Sequence, residues 1–278
     1  MYNLRYHIAS LVGIFLALAL GLILGGLVVQ QGTVDRQQDA LVEGLRKEFA
    51  DLRAENDSVT QQNEDLGEFA GTLVEGWSRD RLEGETYVIL SRTGEEPAVR
   101  LVRQTIEDAG GSVAVARVVE DGLGLTLEAS SEDATATEDA PRLQSVAASL
   151  AAEWHSIDEE RPVTDGLVES GVLSLDGPES GVAVSGVIDV AAQGVTADEA
   201  GIAIVAAFLK NGAAVAVQTR EMDTGVVSAV SRLGGSGVDD IDTAAGRYSL
   251  VAVLSGSEAG HYGTLEGAVA PYAPLPER

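Results

Sequence analysis

The chain has 278 residues, a formal net charge of -26 and no cysteine. Such acidity repels nucleic-acid phosphates and anionic lipid surfaces, so nucleic acid is excluded as a partner of the soluble part. The missing thiols exclude disulfides, thiolate metal sites and cysteine nucleophiles.

Residues 1–7 form a short tail with a firm positive charge at Arg5. Residues 8–29 (IASLVGIFLALALGLILGGLVV) then run without a charge. At about 1.5 Å per residue this stretch spans a hydrocarbon core of about 30 Å. It exceeds the roughly 7–15 residues of a signal-peptide core, and no clear small-residue cleavage site follows Val29. The expectation is an uncleaved plasma-membrane anchor, with the tail cytoplasmic and the remainder extracytoplasmic. Gly13, Ala17, Gly21 and Gly25 recur every four residues and form a ridge where two membrane helices can approach closely.

A heptad follows over residues 33–76. Its d positions are Leu45, Leu52, Val59, Leu66 and Leu73, and its a positions are Val42, Phe49, Asn56, Asn63 and Ala70. Asparagine at a can pair across a parallel two-stranded seam and fix its register. Glu48 at g can reach Arg53 at e of the other chain. The expectation is a parallel homodimer through these ten positions. The glycine-containing last turns are expected to fray, and Trp77 to pack against the next domain.

From about residue 84 the pattern alternates. Residues 86–90 (TYVIL) read as a strand, 97–109 as a helix and 112–119 as a second strand, hence a parallel pair. Residues 120–139 hold seven acidic and no basic residues and read as an exposed insertion. Further on come a helix at 143–154, a strand within 181–190, a helix at 197–210, a strand at 213–219 and a helix at 226–233. A last helix runs through Leu254 with Asp242 as its N-cap. The fold class is a Rossmann-like or flavodoxin-like α/β domain over 84–270, with a short tail at 271–278.

No catalytic or cofactor-binding constellation emerges, and the chain is not expected to be an enzyme. The loop Ser91–Glu96 has one glycine, and Glu95 and Glu96 would repel a pyrophosphate. Gly234, Gly235, Ser236 and Gly237 follow a helix and read as a turn. Asp239 and Asp240 read as solvated residues beside the capping Asp242, lacking the ligand spacing of a calcium loop. His155 and His261 read as isolated, and His261, with glycines on both sides, as a turn residue whose ring packs or caps. His261 is the one weak metal candidate.

Two segments carry a resemblance. Leu4–Gly25 (LRYHIASLVGIFLALALGLILG) and Val238–Gly263 (VDDIDTAAGRYSLVAVLSGSEAGHYG) resemble the two signatures of the actinobacterial family named for mycobacterial copper transport protein B. The order of membrane segment, coil and α/β domain also fits. The resemblance implies a part in copper homeostasis, with copper as the implied metal. SteB-like corynebacterial relatives imply instead an anchored coiled-coil partner of another envelope or cell-division protein. Cu(I) prefers thiolates and thioethers, and this chain offers only Met1 and Met222. The residues therefore favour a dimeric envelope scaffold, for which the SteB-like resemblance implies a part in cell separation, with a copper channel or efflux component as the alternative.

Overall fold

A computed structural model describes residues 4–30, 33–92, 97–118, 139–177, 181–191, 199–222 and 225–276. Most of the expected acidic insertion and the Glu95–Glu96 pair lie outside these residues. The chain divides into two compact units, Met1–Asp65 and Leu66–Arg278.

In the first unit, α1 (Leu4–Gln30) contains a segment, Tyr6–Leu27, long and apolar enough to cross a membrane. The helix α2 (Thr33–Ser78) runs from the first unit into the second as one element. Its heptad residues Leu45, Phe49, Leu52 and Leu66 are all exposed. An apolar stripe on one helix face normally packs against another element; here it stands bare.

The second unit is built on a seven-stranded sheet, in the order β3-β2-β1-β4-β5-β6-β7. Its strands are β1 (Thr86–Ser91), β2 (Ser112–Val118), β3 (Leu173–Asp176), β4 (Gly186–Val190), β5 (Ala213–Val217), β6 (Ser236–Val238) and β7 (His261–Tyr262). All neighbours pair in parallel except β2 and β3. The order follows the Rossmann pattern rather than the flavodoxin one, with an antiparallel edge strand at β3. Every residue of β1 is buried, as expected of a strand covered on both faces.

Side chains alternate between two cores. Val88 and Leu90 face α4 (Asp139–His155), α6 (Glu199–Phe208) and α7 (Val226–Arg232). Tyr87 and Ile89 face α3 (Pro97–Asp108) and α8 (Ala244–Leu254). Burial pushes the Tyr87 hydroxyl well above its ordinary pKa, with Glu85 adding to the effect.

Three local expectations need correction. The end of α2 does not fray: Ser78 is buried, and Trp77 stacks on Tyr248 with ring centroids 4.5 Å apart. The expected packing of Trp77 on the following domain is thus present. Gly234 and Gly235 close α7 in a turn as expected, but Ser236 and Gly237 do not belong to it; Ser236–Val238 is a strand. A Cβ at Gly237 would overlap the Val227 side chain, so glycine there lets α7 lie tightly on the sheet. Asp242 does not cap α8. Thr243 does, accepting a 2.9 Å bond from the Gly246 amide.

One helix escaped the sequence pattern. α5 (Pro162–Glu169) has no side-chain cap of its own. Glu153 of α4 supplies one from a distance, accepting from the Val163 amide at 2.7 Å and the Thr164 amide at 2.9 Å.

Candidate functional site

In open α/β sheets, ligand sites lie beyond the carboxyl ends of the strands, where the strand order reverses. Here that point falls between β1 and β4. Arg92, just past β1, pairs with Asp189 of β4 at 3.4 Å, and the Asp189 side chain is 2 % exposed. The residues flanking this pair at 93–96 and 192–198 are outside the described set.

Further along the same edge, the structure brings together the two halves of the C-terminal signature. Asp239 directly follows β6 and His261 opens β7. The Nε2 of His261 donates to Asp239 Oδ2 at 2.6 Å, and both side chains are buried. Asp239 also accepts from the Thr264 amide at 2.7 Å and the Leu265 amide at 3.0 Å. His261 is therefore not isolated and lies in a strand rather than a turn, although its ring is packed as expected. The two residues are 22 positions apart, and only the pairing of β6 with β7 makes them neighbours.

This arrangement is a latch. A carboxylate only accepts, so the Nε2 facing it carries the hydrogen and is not free to bind a metal. The latch also depends on glycine. Gly263 has φ +136°, and a Cβ there would overlap the Asp239 carboxylate.

The expectation that Asp239 and Asp240 are solvated fails as well. Asp239 is fully buried and Asp240 nearly so. Burial raises the Asp240 pKa, and the 2.9 Å hydrogen bond from the Thr243 hydroxyl opposes that rise. Asp242 instead reaches Arg220 at 2.8 Å. Burial pushes the Asp242 pKa up, but hydrogen bonds from the Arg220 backbone and side chain outweigh it and lower the net value. Asp239 and Asp240 thus serve as interior joinery between β6, β7 and α8, while Asp242 pairs with Arg220 nearer the surface.

His155 is used locally: its Nδ1 donates to the Ala151 carbonyl at 2.7 Å, and its ring stacks on Phe208. Among the described residues, no group of three or more His, Asp or Glu side chains is placed to hold a metal ion. An open groove of about 490 Å³ runs between α4, α6 and the end of α7, lined by Leu143, Ile202, Ala203, Ala206 and Leu233, with Lys210.

The family model described as "Copper transport outer membrane protein, MctB" matches residues 1–272. The chain belongs to this family. Among curated proteins it is similar to the copper transporter MctB of Mycobacterium bovis and to that of Mycobacterium tuberculosis. Each is 24 % identical over 325 aligned positions, covering 97 % of this chain and 98 % of the relative. No solved structure matches. Within the MctB family match lie both the apolar helix α1 and the Asp239–His261 latch. The resemblance read from residues 4–25 and 238–263 is thereby established. Those residues did not reveal that the second segment is a contact inside the sheet.

Proposed function

We propose that this chain is a copper-transport component of the cell envelope, anchored by α1 and working as a self-associated assembly. The end-to-end match to copper transporters carries this reading. It reverses the order of preference drawn from the residues alone, which put a scaffold role first.

The chain's own chemistry limits how it serves that role. With no cysteine and only Met1 and Met222, it offers few soft ligands for Cu(I). A single uncharged helix lines no aqueous path alone, so a route for the metal requires several chains or a partner. The bare heptad face of α2 supports association: two copies in parallel would bury Leu45, Leu52, Val59 and Leu66 against each other. Asn56 and Asn63 would then pair across the seam and hold its register. The small-residue ridge Gly13, Ala17, Gly21 and Gly25 would let the two α1 helices meet as well.

The anchor reading places the tail in the cytoplasm and the sheet domain outside the plasma membrane. A reporter enzyme fused after Arg278 should be active only outside the cytoplasm, on a protein of full length. Activity inside, or a mature product starting near Gln30, would remove the anchor.

The test of function is cellular copper. Cells lacking the chain should retain more copper, and grow less well in its presence, than cells in which it is restored. The bare α2 face also fits a second reading, an envelope scaffold in cell separation. In that case loss of the chain would leave copper content at the parental level and produce chained or unseparated cells.

A further inference from the structure

The heptad frame continues past Leu73, and its next a position is Trp77. That ring is already covered by Tyr248 of its own chain. Val74, at e, is half-buried, and Ser78 is buried. Thus the sheet domain takes one flank of the helix end. The other flank is open: Phe69, at g, is 61 % exposed.

In a parallel pair, g of one chain meets e of the next heptad on the other, as Glu48 meets Arg53. By the same rule Phe69 meets Val74 of the second copy. Val74 and Leu101 form the apolar floor of a notch of about 240 Å³ between α2, α3 and α8, with Gln104, Thr105, Asp108 and Arg247 among its polar walls.

We propose that the second copy docks on the sheet domain itself, not only on the coil. Its Phe69 seats over Val74 in the notch, and the seam closes at Leu73 because Tyr248 takes the place of a partner at Trp77. This rests on the parallel-dimer reading above. Two things point to a second copy as the occupant. The exposed aromatic and its receiving site fall on the paired g and e positions of one frame, and the Glu48–Arg53 charges match in the same offset.

The chain has no cysteine, so introduced thiols report without background. In the full-length protein, Leu66→Cys should give a disulfide-linked dimer under mild oxidation. The double variant Phe69→Cys, Val74→Cys should do so too. Within one chain those two positions lie about 7.5 Å apart along the helix axis at about 1.5 Å per residue, beyond the roughly 7 Å that a disulfide tolerates. If Leu66→Cys links and the pair does not, the docking proposal falls and the coil stands. If neither links, both fall. For the notch itself, Phe69→Ala and the notch-filling Gln104→Trp, both at exposed positions, should each weaken self-association about tenfold. Parental affinity in either variant would overturn the role of the notch.

Discussion

Leu52→Asp should convert the full-length protein from a dimer to a monomer. Leu52 is a d position in the middle of the heptad run, and in the single chain its side chain is 60 % exposed. The substitution therefore costs the isolated helix little; leucine and aspartate differ in helix propensity by only a few tenths of a kcal/mol. In a parallel pair the two carboxylates would face each other in a dry seam. Burying unpaired charge costs several kcal/mol per ion, more than one pair of leucines returns. The effect should appear in the molar mass from light scattering in detergent, while circular dichroism stays at the parental level. A parent that is already monomeric, or a variant that stays dimeric, would contradict the seam.

The second large effect is expected at the latch. Gly263→Ala should destabilise the sheet domain by about 3 kcal/mol. Two costs combine. The backbone at Gly263 lies at φ +136°, which side-chain-bearing residues rarely adopt, and the added Cβ would overlap the Asp239 carboxylate. Moving that carboxylate loosens its bonds to His261, Thr264 and Leu265 in a buried site. His261→Ala should act in the same direction, through a cavity and a buried carboxylate short of one donor. Thermal melts measure both. A Gly263→Ala protein melting at the parental temperature would show that the latch carries no stability. A His261→Ala protein of parental stability that loses only Cu(I) binding would make His261 a metal ligand after all.

Much of this molecule could be read from its residues, for identifiable reasons. An uncharged apolar run and a repeated heptad are local patterns, and α1 and α2 follow them. The strands β1 and β2 carry enough Val, Ile and Ala in a row to stand out, and Pro97 marks the start of α3. What escaped was built from long-range contact. The strand β6 is short and rich in glycine because α7 presses on it, so its sequence looks like a turn. α5 is capped by Glu153 from another helix, leaving no local start signal beyond Pro162. Asp239 reads as a solvated residue and His261 as an isolated turn residue until β7 is laid beside β6. Trp77 was legible as packing, but its partner Tyr248 lies far along the chain.

The signature segment 238–263 therefore acts in the interior of the sheet domain, while the α2 face remains the surface available for assembly. If association through that face underlies copper handling, dimer and copper phenotype must fail together. The direct measurement is cell-associated copper in a strain lacking the chain and supplied with either the parent or Leu52→Asp at matched membrane levels. The account predicts that the parent lowers copper content and the monomeric variant does not. A monomeric Leu52→Asp protein that restores copper content in full would contradict it.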